Sequence, residues 1–176
     1  MTGKEDISSI AYFGDETVLI ASSWDGNVRF YDDADAEDAA TARHIMHKHT
    51  DAVNFVDFRK ADRISASGSD DGFIHLFNYQ SLRNEGHGLE NRNSKGELVE
   101  VKVCRFLEGT DLLVMADLEG YIKFWCIPVD GAHPLKNKML CAVRDESPGE
   151  LRGHESVVDP PPQYMPIRAI DWNEKE

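Results

Sequence analysis

The chain has 176 residues, 41% hydrophobic and 29% charged, the balance of one ordinary globular domain; disorder and collagen are excluded. Lysine and arginine number 19 against 32 aspartates and glutamates, a formal net charge of −13 that repels phosphate and argues against nucleic acid or an anionic membrane surface as main partner. The longest apolar runs, around Val18–Ala21 and at Leu112–Ala116, fall far short of the ~20 residues a membrane-spanning helix needs.

In chain order, the polar start Met1–Asp6 lacks the apolar core of a secretory signal, so a cytosolic compartment is expected. Ile7-x-x-Ile10-x-Tyr12 opens a first strand and Val18–Ala21 a second. Gly26-Asn-Val28-Arg-Phe30-Tyr31-Asp32 then alternates with period two, a half-buried strand entered from a hairpin. The acidic run Asp32-Asp33-Ala-Asp35-Ala-Glu37-Asp38 follows. Read as an EF-hand loop from Asp33, it fails at position 6 (Asp38) and position 12 (His44), which leaves a solvated loop or an electrostatic docking patch. Arg43–His47 is a candidate fourth strand. His47 and His49 would share one face of it, but no Cys or carboxylate at ligand spacing completes a tetrahedral set, so no metal is expected. His44 reads as a surface residue.

The pattern then repeats. Val53-x-x-Val56-x-Phe58, Ile64–Ala66 and Gly72-Phe-Ile74-His-Leu76-Phe77-Asn78 form a second unit. Val101-x-x-Cys104-x-Phe106, Leu112–Ala116 and Gly120-Tyr-Ile122-Lys-Phe124-Trp125-Cys126 form a third. The glycines, each after an acidic turn residue (Asp25, Asp71, Glu119), lie 46 and 48 residues apart. Tyr79–Gly96 shows no clear fourth strand and reads as an irregular loop; Lys138–Arg144 supplies one to the third unit. Ile167-x-x-Ile170-x-Trp172 starts a fourth unit. Before it, Asp159-Pro160-Pro161-Pro162-Gln163-Tyr164 favours polyproline II, as a stiff connection or a ligand for an aromatic groove. This stretch and Ser81–Gly96 are the candidate interaction surfaces, since long loops on a rigid scaffold carry partner contacts. Cys104, Cys126 and Cys141 are odd in number, lack C-x-x-C spacing and read as reduced core residues.

Four short antiparallel strands per unit of about 45 residues form a β-propeller blade. On Tyr31-Asp32, Ser67-Gly-Ser-Asp-Asp71-Gly72, His49-Thr-Asp-Ala-Val53 and Gly153-His154, the chain resembles the WD-repeat family. The resemblance implies a buried hydrogen-bond set of His49, Ser67 and Asp71 in unit two. Phe77 stands there for the family's Trp and cannot donate. Unit one has Ala21 at the serine position; unit three has Met115 there and Glu119 at the aspartate. Those two blades are expected to rely on packing.

Three segments, Ser22–Asp33, Ser69–Gln80 and Val114–Trp125, are similar to the long WD-repeat proteins of ciliary axonemes that often carry EF-hands. That resemblance implies a structural role in the axoneme or cytoskeleton, on microtubules and with axonemal or other cytoskeletal partners. No EF-hand is visible, so no calcium role carries over.

The expected fold is all-β: a partial propeller of about three blades plus the first strand of a fourth, with units at about 7–47, 48–96, 97–146 and 147–176. A seven-bladed propeller needs on the order of 300 residues, so the remainder of the propeller or a partner is expected to cover the open edges, and the isolated chain is expected to aggregate or fold poorly. A sharp, cooperative melt of a monomer would contradict this. Ser65, Ser67 and Ser69 with His49 and Asp71 raise a Ser-His-Asp hydrolase, but such a set lies inside a blade, where a nucleophile lacks access and an oxyanion hole. The expectation is therefore a non-catalytic scaffold for protein–protein contact, without cofactor or metal, in the cilium axoneme or cytoskeleton, or otherwise cytoplasmic. The alternative is a cytoplasmic recognition propeller of a ubiquitin-ligase or signalling complex.

Overall fold

A computed structural model describes residues 6–13, 18–32, 42–79, 81, 83–84, 88–128 and 138–144. No helix occurs among them. The strands are β1 (Ile7–Phe13), β2 (Val18–Ser23), β3 (Asn27–Asp32), β4 (His44–His47), β5 (Val53–Arg59), β6 (Ile64–Ser69), β7 (Phe73–Asn78), β8 (Arg83–Asn84), β9 (Leu89–Glu90), β10 (Val101–Phe106), β11 (Leu112–Asp117), β12 (Tyr121–Cys126) and β13 (Lys138–Arg144). They form three antiparallel sheets in meander order, β1 to β4, β5 to β8 with β9 also on β7, and β10 to β13. The fold is all-β, three blades of a partial propeller.

Each blade is built by the same local rules. Asp25-Gly26, Asp71-Gly72 and Glu119-Gly120 turn the second strand into the third, with glycine φ angles of 80°, 81° and 81°, a left-handed conformation that costs glycine little. The amide of each glycine donates to the residue three before it, Ser23, Ser69 or Asp117, at 3.2 Å. The inner strand of each blade carries one extra residue, a bulge at Ser8, Asn54 and Lys102. Two of these residues stitch blades together: the Ser8 hydroxyl donates to the Val53 carbonyl, and Asn54 Nδ2 donates to the Val101 carbonyl at 2.9 Å.

The apolar core lies between blades. Ile20, Val28, Phe30 and Met46 of blade one meet Val53, Val56, Phe77 and Tyr79 of blade two. Phe30 and Phe77 pack edge to face, centroids 5.1 Å apart. Ala66, Ile74 and Leu76 of blade two meet Val101, Cys104 and Phe106 of blade three, so the second joint repeats the first in register. Gly68 is needed at that joint, because a Cβ there would sit 2.6 Å from Val101 Cγ1.

The segment Tyr79–Gly96 departs from its expected loop. β8 pairs with the end of β7 (Phe77 opposite Asn84) and β9 with its start (Ile74 opposite Leu89), so blade two has a fourth strand in two pieces. The alternation that marks a strand is lost when each piece is two residues long. Of the cysteines, Cys104 is buried and its thiol pushed up by burial, whereas Cys126, at the end of β12, is only half-buried. Both are free thiols. His44 is half-buried with its ring 5.9 Å from Phe30. The side chain of Cys141, the acidic loop at 33–41, and the expected features at 145–176 (Gly153-His154, the prolines at 160–162 and the strand at 167–172) lie outside the described residues.

Candidate functional site

One end of the strands gathers the hairpin tips of all three blades. There the amides of Trp24, Asp70 and Leu118, equivalent residues of the three turns, donate to Asp6, Ala52 and Glu100 at 3.0–3.1 Å, just before each inner strand. The tips also lean on the next blade: a Cβ on Gly26 would lie 3.3 Å from the His49 carbonyl, and one on Gly72 2.9 Å from Leu98 Cβ. The first two tips are thus held both by their own blade and by the next one.

Each turn is fixed by its own buried or half-buried electrostatic pair. In blade two the expected set is present. His49 Nδ1 lies 2.9 Å from Asp71 Oδ2, and Nε2 lies 2.8 Å from Ser67 Oγ. Asp71 also accepts the amides of Phe73 and Thr50, at 2.9 and 3.0 Å. Burial, the largest single influence, would raise the Asp71 pKa, yet the bond and charge of His49 together with the Phe73 and Thr50 amides outweigh it, and the carboxyl stays below its usual range. Phe77 lies opposite Ser65, whose hydroxyl is buried without a partner among the described residues. Trp125 of blade three has the complementary defect: its Nε1 is buried without a partner, because Leu113 stands opposite.

Blades one and three do not rely on packing alone. In blade one Arg29 forks onto Asp25, with Nη1 to Oδ1 at 3.2 Å and Nη2 to Oδ2. This pair, against the smaller effect of burial, lowers the Asp25 pKa to about 2. In blade three the acid has moved two residues earlier. Asp117, fully buried, accepts the Tyr121 amide at 2.9 Å and pairs with Lys123 Nζ at 3.0 Å. Lys123 also reaches the side-chain oxygen of Asn91 and the Arg92 carbonyl. Sequence reasoning missed Arg29, Asn91, Asp117 and Lys123. A signal was available: Arg29, His75 and Lys123 occupy one position in the three motifs, opposite Ala21, Ser67 and Met115. In blade two that basic position is redundant, since His49 already serves Asp71. Burial, and then the neighbouring His49 ring at 4.7 Å, push the His75 pKa down to about 4.

These shifts set a pH dependence. Asp25 and Asp71 have folded pKa values below the unfolded ones, so their stabilisation is present above the ordinary carboxylate range and lost as pH falls through the folded values, about 2 for Asp25. Asp57, raised by burial although it accepts the Phe106 amide at 2.9 Å, acts oppositely: acid relieves its cost. Urea midpoints at about pH 5 and about pH 2.5 are expected to fall on acidification, and less so in Asp25→Asn. An equal fall in both proteins would remove Asp25 from the account.

The face itself is amphipathic. Trp24 is 51% exposed at its turn, Leu98 41% and Leu118 38%. Around them stand Asp70, Lys102 and Glu100, paired at 2.5–2.6 Å, and Asn93, which donates to Glu97 and Glu119 at 3.0 Å. The second half of the insertion at 81–96 is therefore tied down by hydrogen bonds on this face. His47 meets Asn27 while His49 meets Asp71, so the two histidines diverge. No cluster of three metal-ligating side chains occurs among the described residues. The His49–Ser67–Asp71 set offers no accessible nucleophile, since the His49 side chain has 0% exposure and Ser67 is fully buried. At the other end of the strands a cleft of about 670 Å³ lies between blades two and three. Its Arg59 is already engaged by Asp62 (2.6 and 3.0 Å) and the Ile127 carbonyl (2.7 Å).

Residues 1–32 and 41–78 match the family model described as WD domain, G-beta repeat. The chain is similar to the solved structure of U3-55K (TM-score 0.64, 15% identity, 82% of this chain and 41% of that one). It is also similar to the crystal structure of the RRP9 WD40 repeats (TM-score 0.66, 14% identity, 84% and 41%). It thus spans about two fifths of the length of these structures, and the likeness is one of fold. A search of curated proteins found no match.

Proposed function

We propose, for a chain whose WD repeats fold as propeller blades, a non-catalytic scaffold that holds another protein on the hairpin end of the blades. The observation that carries this is Trp24: a large aromatic side chain, half in solvent, on a turn where the Asp25 carboxylate, held by Arg29, accepts the Asn27 amide. Rigid, exposed tryptophans of this kind make interface anchors, because they bury much apolar area at little entropic cost. The net charge of −13 selects a partner with a basic rim around an apolar pocket. The three segments that resemble axonemal WD-repeat proteins support a partner and a location in the ciliary axoneme or its microtubules.

Imaging of the tagged protein in ciliated cells, with capture of axonemal proteins on it, tests both parts. Trp24→Ala is expected to weaken capture by about tenfold or more without changing the melting temperature. Unchanged capture would remove the hairpin face as the site. Purely nuclear or secreted staining would remove the ciliary reading.

A further inference from the structure

Rings elsewhere in the chain take a cation from the chain itself. Arg59 lies 5.1 Å from the ring centroid of Phe106, Arg105 5.5 Å from that of Phe55, and Lys123 5.6 Å from that of Tyr121. Trp24 is the ring type that holds a cation best, and it is 51% exposed, yet among the described residues no such contact falls on it. The cation nearest to it in sequence, Arg29, is spent on Asp25. The border of the turn is acidic. The Trp24 amide donates to the Asp6 carbonyl at 3.1 Å, and a Cβ on Gly26 would lie 3.4 Å from the Asp51 carbonyl. Asp6 belongs to blade one and Asp51 to the approach to blade two, and both are exposed. Asp51 Oδ1 accepts the Ala52 amide at 2.8 Å. Lys48, on the loop that carries Asp51, acts on His75, where it opposes protonation.

We propose that this turn receives an arginine of the partner protein, its guanidinium flat on the Trp24 indole and in the field of Asp6 and Asp51. The inference rests on the hairpin-end reading above and names the side chain that end takes. Arginine fits better than lysine for reasons of shape and hydration. Its planar group stacks on an aromatic face, gives up water more readily than an ammonium, and keeps its donors along the edge while its face lies on the ring. The ring supplies the selectivity between the two cations. The carboxylates and the net charge of −13 supply attraction for either cation, and because they stand in solvent that part weakens as salt rises.

Fluorescence anisotropy tests this, with the full chain titrated into a labelled peptide of alternating arginine and serine or into its lysine–serine counterpart. The arginine peptide is expected to bind about threefold or more tightly than the lysine one, and both to weaken with salt. Trp24→Leu keeps an apolar side chain at an exposed position and removes the π face, so it is expected to abolish the preference. Asp6→Asn combined with Asp51→Asn is expected to weaken both peptides about twofold or more and to keep the preference. Circular dichroism checks that each variant retains its strand content. Equal binding of the two peptides, a preference that survives Trp24→Leu, or affinities that the two asparagines leave untouched would each overturn the proposal. That failure is distinct from failure of the hairpin-end reading. Equal peptide binding with capture lost in Trp24→Ala leaves Trp24 as an apolar anchor and overturns only the arginine subsite. An arginine preference that Trp24→Leu abolishes, with capture unchanged in Trp24→Ala, upholds the subsite and removes the axonemal partner from it.

Discussion

Replacing His49 by alanine is expected to destabilise the chain by about 3 kcal/mol or more, the cost of leaving a buried polar pair without one partner. The His49 side chain has 0% exposure and uses both ring nitrogens, on Asp71 and on the fully buried Ser67. The turn would loosen as well, since Asp71 also positions the amides of Thr50 and Phe73. Ser65→Ala, two residues along the same strand from Ser67, is the control. It removes a buried hydroxyl that already lacks a partner among the described residues, so it is expected to cost less than about 0.5 kcal/mol. Urea unfolding at fixed protein concentration reads both. A loss below about 1 kcal/mol for His49→Ala would show that the set does not hold the blade.

Lys123→Met is expected to cost about 3–5 kcal/mol, because it strands the carboxylate of Asp117 in the interior. Lys123 is 5% exposed and ties Asp117, Asn91 and the Arg92 carbonyl, so its loss affects both blade three and the strand piece that enters from blade two. Adding Asp117→Asn should recover much of the loss. The amide is neutral, and its oxygen still accepts from Tyr121. A double mutant as unstable as the single one would mean that Lys123 acts by packing its stem and not by its charge.

The two effects differ in how far the sequence revealed them. The His49–Ser67–Asp71 set was legible because its residue types sit at the positions the WD resemblance marks. The Lys123–Asp117–Asn91 set was not, because the acid moved from the second turn position to the end of β11, and Asn91 comes from a stretch without strand periodicity. The conclusion that blade three relies on packing followed from reading Met115 and Glu119 alone. Trp24 stood in plain view, but its exposure depends on what lies above the turn.

Period-two alternation and the acid-glycine turns determined the strands, their order and the three-blade architecture, because hairpin geometry is local and the repeat fixes its phase. Tertiary structure alone decided which cation serves which turn, where the broken fourth strand of blade two pairs, and which apolar faces stay open. Those contacts join residues tens of positions apart, such as Lys123 with Asn91 or Asp57 with Phe106. Burial, which sets the strength of each such pair, belongs to the packed neighbours and not to the residue itself.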